Sequence, residues 1–299
     1  MSAGQILLRN EFLEALVLPA SGGGLARLDW IAAPQPISLM RPVAADRIDP
    51  DPNELACYPM IPWCNRIGGG RFAFNGKHYH VAPNRTNEAY PIHGDGWLAA
   101  WTIVEQSPTS LTLQFDKSGP GPFIYRGTLH YELDANTLSF ELSAQNRGPE
   151  TMPFGLGLHP WFLRTPDVEV QASAAGLWEA GDDLLPVMRR PLSGSAALHP
   201  LHASPGRTID NVFFGWDGVA FMRWPERKIA LRLETEPAMS HFTFYAPLEQ
   251  PFFCLEPVTH PVNALNLPAP HLREGLVCLR NDESTSITAR FQALRLEQQ

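Results

Sequence analysis

No stretch of this 299-residue chain approaches the roughly 18 consecutive apolar residues of a membrane-spanning helix. The N-terminus, Met1-Ser2-Ala3-Gly4-Gln5-Ile6, lacks the basic segment and apolar run of a secretory leader, so a cytoplasmic address is the default expectation. Blocks of Lys and Arg are missing as well. With 31 acidic against 23 basic residues and a formal charge of −8, the chain is poorly suited to a phosphate backbone or an anionic membrane. Only four cysteines are present, Cys57, Cys64, Cys254 and Cys278, with no Cys-x-x-Cys pair, which reads as reduced and partly buried thiols rather than a disulfide framework or a zinc site. Windows free of Pro and Gly are short. Proline alone accounts for 29 residues, about twice ordinary usage, and this excludes long helices. Internal repeats and low-complexity tracts are absent too.

What the chain does contain is strand after strand. The apolar fraction of 44% is ample for a core. Length alone allows about two domains, but β-sandwiches run long as single units, and residues 1–299 are read as one domain. Strands are expected at Gln5 to Arg9, Glu14 to Pro19 and Leu25 to Ile31, broken by the Gly22-Gly23-Gly24 turn. Ala33 to Asp51 reads as loop. Period-two alternation then marks Ala100 to Glu105, Ser110 to Asp116, Tyr125 to Leu133 and Leu138 to Gln145. The rhythm returns at Val168 to Ala172, Val219 to Trp224, Lys228 to Thr235, Phe242 to Ala246, Phe252 to Glu256, Leu276 to Leu279 and Ser286 to Ala293. Strands without intervening helices make an antiparallel sheet, and this many close into a large all-β sandwich.

Asn65 to Trp97 organises the chain. Asn65-Arg66-Ile67 precedes Gly68-Gly69-Gly70; Phe72, Phe74, Tyr79 and Val81 alternate about Asn75-Gly76, a hairpin with a primed turn; and Pro91-Ile92-His93-Gly94-Asp95-Gly96-Trp97 follows. Such a hairpin holds Arg66 and His93 at its two outer ends. Three further segments carry candidate chemistry. Met152 to Phe162 sets His159 beside Pro160, Trp161 and Phe162 where a strand ends, although a lone His is more often structural. Thr208 to Phe213 carries Asp210-Asn211 in what reads as a loop, a pair that commonly only builds a turn. Phe252 to His260 ends an apolar strand in Glu256-Pro257, and a carboxylate there is either ion-paired or working.

The four motifs in this order resemble the aldose 1-epimerase (mutarotase) family over nearly the whole chain, from about Ile6 to Phe291. The resemblance implies the galactose mutarotase-like supersandwich and interconversion of the α and β anomers of a free aldohexose. It casts Glu256 as general base on the anomeric hydroxyl and His159 as general acid on the ring oxygen, on opposite sides of the sugar. Asn65, Arg66, His93 and Asp210 become binding residues, and Trp161 an apolar face for the ring. An imidazolium beside a carboxylate is expected to keep its proton to higher pH, and the carboxylate to ionise more readily. Because only protons move, neither metal nor organic cofactor is expected.

Other constellations carry less. His78 and His80 share a strand face without a carboxylate at metal-site spacing, and they read as surface histidines. The triple glycine lacks the Lys-Ser/Thr of a phosphate loop, and His199 and His202 fall in a Pro-rich loop with no role. Two readings stand beside the first. A hexose-6-phosphate 1-epimerase of the same fold would need pocket arginines, for which Arg66, Arg71 and Arg85 are candidates; a non-catalytic sugar-binding sandwich would have no use for a paired Glu and His.

Overall fold

The computed structural model describes residues 4–44, 47, 50–192, 197–202 and 208–296. Among the described residues there is no α-helix, only five 3-10 turns of three residues each, as the Pro and Gly content requires. Two large antiparallel sheets dominate, beside the two-stranded pairs Met152–Phe154/Val277–Leu279 and Arg71–Phe74/Lys77–His80. The first runs, in spatial order, Ile6–Arg9, Leu13–Leu18, Gly24–Trp30, Cys57–Met60, Gly157–Leu163, Phe252–Val258, His241–Ala246, Ile209–Phe214, Gly176–Ala180 and Pro186–Pro191, with the short Ile37–Ser38 paired to Gly24–Trp30. The second runs Ala197–His202, Glu169–Ser173, Val219–Trp224, Ile229–Thr235, Ser284–Arg295, Thr137–Asn146, Tyr125–Asp134, Ser110–Lys117 and Thr102–Gln106.

The two sheets bury one shared core. Residues of the second sheet alternate in and out along Tyr125–Asp134 and Thr137–Asn146, with Tyr125, Leu129, Tyr131, Phe140 and Leu142 inside. The first sheet behaves differently because its central strands are covered on both faces. Along Phe252–Val258, Phe253 and Leu255 enter the shared core, whereas Cys254 and Val258 belong to a separate apolar cluster with Tyr58, Met60, Trp97 and Trp161. Phe242 and Phe244 point to the core in the same way, while Thr243 and the half-buried Tyr245 point away from it. This second face of the first sheet is the floor on which the site is built.

Several strands depart from the sequence expectation. Cys57–Met60 and Gly157–Leu163 are full strands, so His159 lies inside a strand rather than at its end, and Asp210 lies inside Ile209–Phe214 rather than in a loop. Residues buried on both faces lose the alternation that identifies a half-buried strand. Gly176–Ala180, Pro186–Pro191 and Ala197–His202 are strands as well, the last in the segment read as a Pro-rich loop around His199 and His202. The hairpin Arg71–Phe74/Lys77–His80 forms as expected, with φ of 48° at Asn75 and 75° at Gly76, the two positive values of a primed turn.

A covering loop returns over the floor from Asn65 to Trp97. Gly94 fastens it: its φ is +71°, and a Cβ there would stand 1.8 Å from the Ile61 carbonyl oxygen. Gly94→Ala is therefore expected to destabilise the fold by at least the ~1–2 kcal/mol of a left-handed alanine, with the backbone clash adding to it. Urea unfolding should show a lower midpoint at unchanged slope; an unchanged midpoint would mean that the close approach to Ile61 is not kept in solution.

Candidate active site

A cavity of about 600 Å³ opens over the outer face of the first sheet. Its floor comes from neighbouring strands, which supply His159, Trp161, Asp210 and Glu256; the covering loop supplies Asn65, Arg66 and His93. Strand register explains the convergence. His159 lies opposite Tyr58, Trp161 opposite Cys254, Glu256 opposite Thr243, and Asp210 opposite Tyr245. In antiparallel pairs such residues share a face, so four distant sequence motifs meet over one patch of sheet.

At the centre, His159 Nε2 lies 3.2 Å from Glu256 Oε1, and both side chains are buried. The other polar atoms of the pair, His159 Nδ1 and Glu256 Oε2, have no hydrogen-bond partner among the described residues. The two groups touch, in contrast to the expected arrangement on opposite sides of a sugar. Their acidities also depart from the expectation. Burial pulls His159 down to about 3, with Arg41 adding to the effect, and burial raises Glu256 well above the usual carboxylate range, with Asp210 adding and Arg66 opposing. Desolvation penalises either charge more strongly than the partner rewards it. Burial thus favours the neutral imidazole and the neutral carboxyl, a pair with one proton and no net charge.

Aromatic rings fix the imidazole. His159 stacks on Tyr58 at 4.5 Å between centroids and on Trp161 at 4.9 Å, and His93 meets it edge-on at 5.0 Å. Trp161 is only 7% exposed, with the Arg41 guanidinium 4.0 Å from its ring centroid, so it braces His159 and leaves little surface for a sugar. Arg41 itself donates to the carbonyls of Asn53 and Leu55.

The covering wall is held by two residues in the left-handed region, Asn65 at φ +55° and His93 at φ +58°. They secure each other: the Asn65 N–H donates to His93 Nδ1 at 3.1 Å, and the His93 N–H donates to the Asn65 carbonyl at 3.0 Å. With Nδ1 accepting, the ring proton of His93 resides on Nε2. Burial holds this imidazole well below its ordinary pKa, with the His159 and Arg66 environments adding to the effect. Strain of this kind outside glycine is uncommon and concentrates at functional sites.

Arg66 is bound bidentately by Glu88, at 3.0 and 3.2 Å, and Asn84 pins the loop by donating to the carbonyls of Ile92 and Gly94 while accepting the Ile92 N–H. Asp210, largely buried, is raised by burial, with Arg66 opposing the shift. Glu88, Asn84, Arg41 and Tyr58 escaped the sequence reading because each sits in loop or in a strand without alternation. The lone signal was the polar run Asn84-Arg85-Thr86-Asn87-Glu88 within the covering stretch. Cys254 escaped too. It forms with His159 and Glu256 a trio of potential metal-ligand atoms within 4.8 Å of one another, a cluster that sequence spacing gave no reason to expect.

Three buried histidines stay neutral in the fold. His260, whose Nε2 accepts the Cys64 N–H at 2.9 Å, is lowered to about 4 by burial, alongside His93 and His159. In the unfolded chain each binds a proton below about pH 6.5. The unfolded state thus takes up more protons, and stability falls as pH drops below that value. Glu256 and Asp210 act in the opposite sense, since a raised pKa keeps a proton that the unfolded chain releases, but they offset at most two of the three. Urea midpoints measured at pH 7 and pH 5 should decline toward the acid side; a rise would contradict the neutral histidines.

With this geometry in view, the comparisons with known proteins are specific. Residues 5–292 match the family model described as aldose 1-epimerase. The uncharacterized protein YphB of Escherichia coli (strain K12) is 35% identical over 244 residues, 78% of this chain and 82% of that one. A solved E. coli K12 structure provisionally named an aldose 1-epimerase superposes with a TM-score of 0.87 at 29% identity, covering 98% of this chain and 99% of that one. A galactose mutarotase-like protein from Clostridium acetobutylicum shares the fold at a TM-score of 0.85 and 20% identity, over 98% and 95% of the two chains. The match spans both sheets, the covering loop and all four motifs: the chain belongs to the aldose 1-epimerase family.

Proposed function

We propose that the protein interconverts the α and β anomers of a free aldohexose, with Glu256 and His159 moving the protons. The observation that carries this reading is the 3.2 Å contact between His159 Nε2 and Glu256 Oε1 on the floor of the 600 Å³ cavity. Ring opening removes the proton from the anomeric hydroxyl and adds one to the ring oxygen. Both oxygens are bonded to C1, so an acid and a base side by side reach them from one direction, and a placement on opposite sides of the sugar is unnecessary.

Before the sugar enters, the pair holds one proton. For Glu256 to act as base, that proton crosses the existing hydrogen bond to His159, and the resulting carboxylate is favoured by the positive charge of Arg66. Glu256 then takes the O1 proton while His159 delivers its own to the ring oxygen. Rotation about C1–C2 turns the other face of the carbonyl, and the two transfers run backwards. His93 Nε2–H donates to a sugar oxygen, Arg66 and Asn65 hold the same wall, and Asp210 accepts from a ring hydroxyl. The chemistry requires no metal or organic cofactor.

A free sugar is favoured over a hexose 6-phosphate by the arginines. Of the three candidates, Arg66 is committed to Glu88 and Arg85 to Asp51 at 2.8 Å, and Arg71 is not in the cavity wall. Simple binding gives no reason to bury a carboxyl and an imidazole, each with an orphan polar atom, beneath the ligand. A cytoplasmic location suits a metabolic role of this kind; among the described residues no helix is long and apolar enough to cross a membrane.

Polarimetry of freshly dissolved α-glucose, α-galactose and glucose 6-phosphate tests the activity and its preference. Glu256→Gln and His159→Asn should each lower kcat on the order of 10²- to 10⁴-fold with little change in KM. Asp210→Asn should mainly raise KM, because a hydroxyl held equally in ground and transition states contributes uniform binding. Near-parental kcat in a folded Glu256→Gln protein would remove the proposed mechanism.

A further inference from the structure

The trio of His159, Cys254 and Glu256 has a chemistry that anomer interconversion does not use. Cys254 follows the two-residue period of Phe252–Val258 onto the same face as Glu256, and its register partner Trp161 stacks on His159. One potential ligand atom from each of the three lies within 4.8 Å of the others. His159 Nε2 and Glu256 Oε1 already face each other at 3.2 Å, while the other polar atoms of the pair, His159 Nδ1 and Glu256 Oε2, lack partners among the described residues. We propose that this trio is a binding site for a thiophilic divalent cation of the zinc type, with a fourth coordination position facing the sugar cavity.

Geometry supports it. Nitrogen and oxygen ligands about 2.0–2.1 Å from a tetrahedral zinc stand roughly 3.3 Å apart. His159 Nε2 and Glu256 Oε1 are already 3.2 Å apart. With a Zn–S bond of about 2.3 Å, Cys254 Sγ has to lie roughly 3.6 Å from the other two ligand atoms, a closure of about an ångström at most from the present spacing. A set of thiolate, imidazole and carboxylate also selects zinc-like ions over magnesium or calcium, which prefer oxygen alone.

Charge balance supports it as well. Thiolate, carboxylate and neutral imidazole around one dication sum to zero, the displaced protons passing to solvent. The buried cluster stays uncharged, so the desolvation that disfavours a lone cation here does not oppose the exchange. The bound ion would occupy both proton carriers and halt sugar interconversion; this consequence, unlike the site itself, rests on the proposed function.

The test separates the two. Chelator-treated protein is dialysed to equilibrium against graded Zn²⁺ and the bound metal is quantified for the unaltered chain, Cys254→Ser and Cys278→Ser. Cys278 is the exposed thiol and the rival source of a soft ligand. The unaltered chain and Cys278→Ser should share a tight site that Cys254→Ser weakens by at least the ~10- to 100-fold lost when even an outer-shell partner is removed. Co²⁺ should give a thiolate-to-cobalt charge-transfer absorption in the first two and none in the third. Equal affinity in Cys254→Ser, or a band that vanishes with Cys278→Ser, overturns the site. Should Cys254→Ser fail to fold, Glu256→Gln must lose the tight site, and retention there overturns the proposal equally. Zn²⁺ should also suppress polarimetric activity, with recovery on adding chelator. If zinc binds through Cys254 while interconversion continues unchanged, the metal site stands and the assignment of Glu256 and His159 as proton carriers falls.

Discussion

Burial of Glu256 beside His159 is the constraint on which the site depends. A carboxyl group buried within the strand Phe252–Val258, and not at its end as the sequence suggested, is stable there only if it stays neutral or shares its charge, and the imidazole 3.2 Å away provides the sharing. Among the described residues neither group is hydrogen-bonded to a third side chain, and rings hold the imidazole. Tyr58 and Trp161 stack on His159, and Arg41 closes over Trp161, so the orientation of the imidazole is set by packing. Packing of this kind fixes direction without adding a competing hydrogen bond.

That arrangement follows from how the first sheet is covered. Its strands send Phe253, Leu255, Phe242, Phe244 and Phe162 into the core shared with the second sheet, and the period of two then delivers Cys254, Glu256, Thr243, Tyr245 and Trp161 to the opposite face. Slipping Phe252–Val258 by one residue would exchange Leu255 with Glu256, burying a carboxyl in the main core and pointing a leucine at the cavity. The core therefore enforces the register that aligns the site. The geometry of the cavity floor and the hydrophobic packing are specified by the same alternation, read from its two sides.

The same double coverage decides what could be read from the sequence. Strands of the second sheet are half-buried and alternate cleanly, so Ser110–Lys117, Tyr125–Asp134, Thr137–Asn146 and Val219–Trp224 were legible to within a residue or two. Cys57–Met60 is buried at every position and contains a proline, and Gly157–Leu163 is buried at six of seven, so neither offered a period to find. The site residues were legible for another reason. Glu256, His159, Asp210 and the Asn65-Arg66 pair are polar groups in motifs whose order resembles a family, and a carboxyl in an apolar strand stands out on its own. What sequence could not supply was contact. That Glu256 touches His159, that Cys254 joins them, and that Glu88 claims Arg66 are facts of register and loop closure.

Electrostatics is where the sequence reading erred in sign. Opposite charges side by side do stabilise each other, and from that alone His159 should hold its proton and Glu256 should lose its own. Both are fully enclosed, however, and the cost of removing each charge from water exceeds the attraction between them. The pair consequently rests with a single shared proton and no net charge. In the function proposed above, such a pair would serve ring opening and closure alike, because an anomer exchange has no preferred proton donor. Arg66, tied to Glu88 at the edge of the cavity, brings positive charge toward Glu256 without becoming its partner, and this opposes the upward pull of burial on the carboxyl.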